Sequence, residues 1–164
     1  ATKEEMVWGF RIGFVTYGGK GLKAEHYDAL NKKTLGIIRS TVSNCDRPGQ
    51  SLILKAMRDG KNYQADKSAA FAEMERRYHT IKASLKKYEN SELLKPYPFN
   101  SGYFMAFKCK GSSEVLRTYL LDTYQIGCIN IQDTTLRLAY CSVECDKIEE
   151  LIDLVYQAAG EAWN

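Results

Sequence analysis

The sequence is poor in the residues from which most metal sites and disulfide frameworks are built. It contains only two histidines, and its five cysteines include no CxxC pair. Neither histidine has a second ligand at the spacing that a zinc site requires. We therefore predict no metal site. The odd number of cysteines favours reduced thiols in the cytoplasm over a set of disulfides.

An excess of one charge and a long apolar run are also missing. The 23 basic and 20 acidic residues alternate along the chain and leave a formal net charge of only +3. Such a weak field does not indicate binding to nucleic acid or to a membrane surface. No apolar stretch approaches the roughly 20 residues that cross a bilayer. With 45% hydrophobic and 26% charged residues, the composition is typical of a soluble globular protein.

The segment from Asp66 to Tyr88 has the longest periodic pattern in the sequence. Its apolar residues recur at steps of three and four and form one stripe, which predicts a single helix. About 25 helical residues would reach roughly 37 Å, a length that suits a helix connecting two domains. A free coiled coil is the alternative, and we rank it lower because the stripe does not continue. Shorter helices are predicted before it, over residues 24–44 and 51–57.

Strand-like and helical patterns alternate after residue 98. They predict the order β-α-β-β-α, with helices that begin near Ser112 and Asp146 and strands at Tyr103–Cys109, Cys128–Ile131 and Leu136–Cys141. Asp146 and Glu149 are spaced like a capping box at the start of the last helix. This order indicates an α+β fold, in which a short antiparallel or mixed sheet is covered by helices.

The first fourteen residues combine a lysine, an arginine and two glycines. Lys3 lies near the start, Arg11 follows eight positions later, and Gly9 and Gly13 flank the arginine. Aromatic and β-branched residues predict a strand over Phe10–Thr16. A lysine amine can condense with an aldehyde, and a guanidinium can grip a phosphate through two parallel hydrogen bonds. The simpler alternative is a solvated lysine near a chain end and an arginine at a strand edge.

Arg137 lies among apolar residues in the last predicted strand. Leu136 and Leu138 alternate with it, so the strand has two distinct faces. A covered arginine needs an acceptor for its hydrogen bonds. We therefore expect an internal salt bridge, with an acid such as Glu144 or Asp133, or another acceptor in its place.

Three blocks of the sequence, in this order, resemble the fold-type I pyridoxal-phosphate (PLP) enzymes of the class I/II aminotransferase family. The segment Lys3–Gly13 is similar to the motif of the cofactor lysine, although Met6 is bulkier than the residue usual at its position. Asn100–Met105 resembles the strand entry of the family's small domain, and Leu136–Cys141 resembles the strand with the substrate-carboxylate arginine. In this family the lysine motif lies past the middle of the polypeptide. The chain therefore resembles the C-terminal portion of such an enzyme.

The resemblance implies a role for each candidate residue. Lys3 would be the Schiff-base lysine, both catalytic and cofactor-binding, Arg11 a ligand of the PLP phosphate, and Arg137 the ligand of the substrate α-carboxylate. Residues 1–62 would be the C-terminal remnant of the large PLP-binding domain, and residues 63–164 the small domain with the long connecting helix. The parent enzyme would be a homodimer that transfers an amino group between an amino acid and a 2-oxo acid.

Several parts of the family's cofactor site do not occur in the sequence. The aspartate that pairs with the pyridine nitrogen, the aromatic residue that stacks on the ring and the glycine-containing phosphate loop are missing. The chain is therefore expected to hold PLP weakly or not at all and to be inactive without the N-terminal portion of the enzyme. Two alternatives keep the fold: a PLP-dependent β-eliminating lyase and the PLP-like domain of a transcription regulator. The presence of both Lys3 and Arg11 speaks against the second.

Overall fold

A computed structural model describes residues 3–164 of the chain. The chain divides into two compact units, the first ending at Ala70 and the second running from Phe71 to Asn164. The boundary falls inside the longest helix described. The boundary expected at residue 62 is a different one, because it divides the cofactor-binding part from the small domain of the family that the chain resembles. That boundary stays a prediction.

The first unit contains the two predicted short helices. Helix α1 spans Ala24–Thr41 and helix α2 spans Arg47–Arg58, so both predictions are confirmed, and α2 begins earlier than expected. The reason is Asp46, whose carboxylate accepts a hydrogen bond from the backbone N–H of Gly49 at 3.0 Å. This contact satisfies one of the free donors at the start of the helix. The polar turn after α1 therefore also starts α2.

The predicted strand over Phe10–Thr16 is wrong. A 3-10 turn spans Trp8–Phe10, and the backbone from residue 11 to the start of α1 is irregular. A strand requires a neighbouring strand that pairs with its N–H and C=O groups. Within residues 3–164 the sheet lies wholly between residues 94 and 138. No strand of this sheet pairs with the segment.

Helix α3 spans Gly60–Leu85 and confirms the long connecting helix. Its 26 residues extend over about 39 Å. Its buried residues, Ile81, Ser84 and Leu85, all lie near its C-terminal end, where the two apolar ones enter the core of the second unit. Neither α3 nor any other helix within residues 3–164 is both long and apolar enough to cross a membrane.

The second unit is built on a four-stranded sheet with the order β1-β2-β4-β3, in which all neighbours are antiparallel. Its strands are β1 (Leu94–Pro96), β2 (Met105–Cys109), β3 (Ile129–Ile131) and β4 (Thr135–Leu138). Two further helices are α4 (Ser113–Tyr124) and α5 (Ile148–Ala162). They complete the predicted order β-α-β-β-α and confirm the α+β fold class.

The strands differ from the sequence prediction in one additional strand and in several limits, of which the end of β4 differs most. The sequence does not predict β1, because Pro96 and Pro98 indicate a break. A proline is nevertheless tolerated on an edge strand, where its missing N–H need not face a ladder. Strand β4 ends at Leu138 instead of Cys141, because Tyr140–Ser142 turns into a short 3-10 helix.

The start of α5 also differs from the prediction. Asp146 lies inside the 3-10 turn Cys145–Lys147, and the cap residue of α5 is Lys147, which makes no side-chain cap. The predicted capping box of Asp146 and Glu149 is therefore wrong. Because the chain is already turned at Asp146, this residue does not hold the extended cap position from which a carboxylate reaches the free N–H groups.

The pleat of β2 and β4 decides which side chains enter the core. Phe107 and Leu136 are fully buried in one cluster with residues of α4 and α5. Tyr156 of α5 meets Phe107 edge-on, with ring centroids 5.8 Å apart. Because side chains alternate along a strand, Lys108 and Arg137 lie on the opposite side of the sheet. The two-faced strand predicted around Arg137 is thus confirmed.

We predict that Gly111→Ala destabilises the second unit by about 1–3 kcal/mol, as overpacking does. The added Cβ would lie 2.8 Å from Cδ1 of Trp163 and displace the indole, whose Nε1 donates to the carbonyl of Ser112 at 3.1 Å. Urea unfolding followed by fluorescence measures the effect in a Trp8→Phe background. Gly127→Ala is the matched control, because its Cβ meets no atom within 4 Å. Equal stability of the two variants would contradict this packing.

Candidate functional site

Lys3 lies in the irregular segment that precedes α1, and it is exposed. Two positions later, the Glu5 carboxylate anchors this segment to α3. The Glu5 side chain is only 7% exposed, and it accepts hydrogen bonds from the Tyr63 hydroxyl and from Nζ of Lys67 (3.2 Å). No pattern in the sequence signals this contact, because Glu4 and Glu5 resemble a solvated acidic pair.

These hydrogen bonds keep Glu5 charged. The bond from Tyr63 lowers the pKa of the Glu5 carboxyl most, burial raises it, and the neighbouring Lys67 lowers it further, with a net downward shift. The hydrogen bonds that Tyr63 and Lys67 donate to Glu5 also raise the pKa of the Tyr63 hydroxyl and that of the Lys67 ammonium. At neutral pH the group therefore consists of a carboxylate, a neutral phenol and an ammonium.

Arg11 directly follows the 3-10 turn Trp8–Phe10. Its backbone is in the left-handed region, with φ 51°, which is uncommon for a residue with a Cβ. Its Nη1 donates to the carbonyl of Trp8 at 3.3 Å. Within residues 3–164 no carboxylate pairs with this guanidinium. The remaining N–H donors of Arg11 are therefore available for an anion.

The chemistry of Lys3 and Arg11 fits the cofactor that the resemblance implies. PLP has an aldehyde, which condenses with an amine, and a phosphate, which a guanidinium binds in bidentate fashion. One segment supplies both groups, and both residues are exposed. Their assignment as cofactor ligands stays a prediction.

Arg137 lies in the middle of the sheet of the second unit. On β4, it pairs with Ala106 of β2 and Ile129 of β3, on the face opposite the core. Its guanidinium carbon is 4.8 Å from the centroid of the Phe104 ring, within the range of a cation–π contact. Phe104 is a site residue that the sequence did not single out. The one feature of the sequence that could have indicated Phe104 is its position directly before β2, the strand in which Ala106 pairs with Arg137.

The internal salt bridge expected as an alternative for Arg137 does not form within residues 3–164. Asp133 instead accepts hydrogen bonds from the Ser112 hydroxyl (2.5 Å) and from the N–H of Glu114 (3.0 Å). Glu144 lies 3.7 Å from the guanidinium of Arg77. The charge of Arg137 is therefore not neutralised by the acids of the described chain.

The loop before β2 is held by hydrogen bonds to the carbonyls of Gly102 and Tyr103. Gly102 has φ +94°, a conformation that favours glycine, and its carbonyl accepts a hydrogen bond from the buried Tyr140 hydroxyl at 2.6 Å. The N–H of Cys141 donates to the carbonyl of Tyr103 at 3.4 Å. These contacts fix the residue next to Phe104 and thereby the ring that covers Arg137.

Lys3 and Arg11 belong to the first unit, and Arg137 belongs to the second. The structure thus describes the surroundings of each residue within its own unit. The catalytic, cofactor-binding and substrate-binding roles given to the three residues stay predictions.

Comparisons with known proteins find matches among solved structures alone. No protein-family model matches the sequence, and no curated protein matches it. An archaeal alanine:glyoxylate aminotransferase superimposes with a TM-score of 0.72, at 14% identity over 94% of this chain. An aminotransferase from Anaerococcus prevotii gives a TM-score of 0.70, at 17% identity over 96% of this chain. The chain has an aminotransferase fold.

The aminotransferase fold is shared with only part of each neighbour. The chain spans 38% of the archaeal enzyme and 37% of the Anaerococcus enzyme. A third match is an α-aminoadipate aminotransferase from Thermus thermophilus, solved with N-(5'-phosphopyridoxyl)-L-leucine. It has a TM-score of 0.68 and 14% identity, and the match covers 83% of this chain and 36% of that one. The predicted resemblance to the C-terminal portion of a fold-type I aminotransferase is confirmed at the level of the fold.

We predict that Glu5→Gln removes part of the acid sensitivity of the first unit. Because the folded-state pKa of Glu5 is lowered, its carboxylate stabilises the fold above the unfolded-state pKa of about 4.3. This contribution is lost as the pH falls through the folded-state value. Between about pH 6 and pH 3, wild type should therefore lose more stability than Glu5→Gln.

Thermal unfolding followed by circular dichroism over this pH range measures the difference. Glu4→Gln is the matched control, because the Glu4 side chain is 79% exposed, and its profile should follow that of wild type. Parallel profiles for wild type and Glu5→Gln would show that the buried carboxylate contributes nothing.

Proposed function

We propose that the chain is the C-terminal portion of a PLP-dependent aminotransferase, which moves an amino group between an amino acid and a 2-oxo acid. The observation that supports this proposal most is the fold that aminotransferases share with 94% to 96% of the chain. We also propose that the parent enzyme is a cytoplasmic homodimer.

Lys3 supplies the amine of the reaction. The Lys3 amine would hold PLP by condensing with the aldehyde of the cofactor, with release of water, and it would move a proton at the α-carbon of the substrate. Bound PLP supplies the electron sink that makes this α-proton acidic. Arg11 binds the cofactor phosphate through parallel hydrogen bonds, which fix both its position and its angle.

Arg137 binds the α-carboxylate of the amino acid. The centroid of the Phe104 ring lies 4.8 Å from its guanidinium carbon, and the guanidinium N–H groups bind the carboxylate through two parallel hydrogen bonds. Since no acid within residues 3–164 neutralises Arg137, its charge is available to a substrate anion. A lysine at this position would offer the charge without the planar fork.

The test of this proposal uses the full-length enzyme that contains this chain. We predict that Arg137→Lys raises the KM for the amino acid by about 30-fold or more, because a bidentate charged contact is lost. The absorbance of bound PLP should not change. Lys108→Gln removes a charge from the same face of the sheet and should leave KM within about twofold. Amino transfer to 2-oxoglutarate is the assay.

Two outcomes would contradict the proposal. An unchanged KM in Arg137→Lys would remove Arg137 from the substrate site. Release of pyruvate and ammonia without transfer to 2-oxoglutarate would indicate β-elimination instead of transamination.

We further predict that the 164-residue chain does not hold PLP or transaminate when it is isolated. Lys3 and Arg11 make only part of the contacts that a fold-type I enzyme uses, and the partner of the pyridine nitrogen is not in the sequence. After mixing with excess PLP and gel filtration, the protein should elute without cofactor absorbance. Equimolar co-elution of PLP that disappears in Lys3→Ala would contradict this expectation.

A further inference from the structure

The burial of Glu5 has no use in the chemistry proposed above. A carboxylate that is taken out of water loses favourable solvation unless charged or hydrogen-bonding partners replace the water. Glu5 has both kinds of partner, a phenol from Tyr63 and an ammonium from Lys67. Such a contact needs accurate geometry, so it fixes the backbone that carries the carboxylate.

The neighbouring Glu4 shows that this burial is specific. Both glutamates face the same ammonium, but Glu4 lies 4.0 Å from Nζ of Lys67 with its side chain 79% exposed. Glu5 lies 3.2 Å from that Nζ with its side chain 7% exposed. One residue of the pair is therefore an anchor, and the other is a solvated charge next to it.

The residues that follow Glu5 border a recess in the first unit. Met6 has a left-handed backbone, with φ 54°, and Val7 follows it. Together with Glu5 these residues line a recess of about 220 Å³, whose other walls come from α2 and α3 and include Ile53 and Ala70. The segment therefore faces α2 and α3 across this recess, and the Glu5 carboxylate joins it to α3 at the edge of the recess.

We propose that Glu5 is a positioning residue for Lys3, which it places through its hydrogen bonds to Tyr63 and Lys67. This inference rests on the function proposed for Lys3. Two residues of chain reach at most about 7 Å, so anchoring Glu5 confines the backbone from which the Lys3 amine projects. A reactive group that is displaced by only about 1 Å can lose about 100-fold in rate.

The first test measures the anchor itself in the 164-residue chain without any cofactor. Glu5→Ala should speed hydrogen–deuterium exchange of the amides of residues 4–8 by about tenfold or more. Tyr63→Phe, which keeps the ring and removes one hydrogen bond, should give a smaller increase in the same amides. Glu4→Ala is the matched control and should change exchange by less than about twofold. Equal exchange in Glu5→Ala and Glu4→Ala would overturn the proposal.

The second test measures the consequence in the full-length enzyme loaded with PLP. Glu5→Ala should lower kcat by about tenfold or more with KM within about twofold, whereas Glu4→Ala should leave both unchanged. Glu5→Gln, which keeps an acceptor oxygen, should recover part of kcat. An unchanged kcat in Glu5→Ala would overturn the proposal. Transamination by Lys3→Ala would instead overturn the proposed role of Lys3, while the exchange data would still report the anchor.

Discussion

The alternation of side chains along β4 is the constraint on which the second unit and its candidate residue both depend. Leu136 and Leu138 are buried in the core with residues of α4 and α5, and strand geometry then places Arg137 on the opposite face. A shift by one residue would bury the guanidinium and expose both leucines. The position of Arg137 is thus fixed by the burial of its neighbours, and the centroid of the Phe104 ring lies 4.8 Å from its guanidinium carbon.

The first unit positions its candidate residues by polar contacts instead. Lys3 and Arg11 lie in a segment without a strand ladder, and the Glu5 carboxylate joins this segment to Tyr63 and Lys67 of α3. Neither of these two contacts uses the amine of Lys3. The backbone that carries Lys3 is therefore held at a residue two positions away.

The helices and the order of elements along the second unit could be predicted because periodic burial leaves a direct pattern in the sequence. The stripe of α3 and the two faces of β4 both record which side chains avoid water. The prediction of a strand over Phe10–Thr16 fails for a different reason. Aromatic and β-branched residues favour a strand, but they do not show whether a neighbouring strand is present to pair with it. The sequence does not predict the proline-containing strand β1 for the opposite reason, because its pairing with β2 overrides an unfavourable composition.

At the candidate site, the alternation of side chains along β4 predicts the face on which Arg137 lies. The contacts of Glu5 and Phe104, in contrast, join residues far apart in sequence and leave no local pattern.

The central claim is that the amine of Lys3 carries PLP in the full-length enzyme. Borohydride reduction of the PLP-loaded enzyme, followed by mass mapping of its peptides, tests this claim most directly. We expect one reduced adduct per chain, located on Lys3. An adduct on any other lysine, or no adduct at all, would contradict the claim.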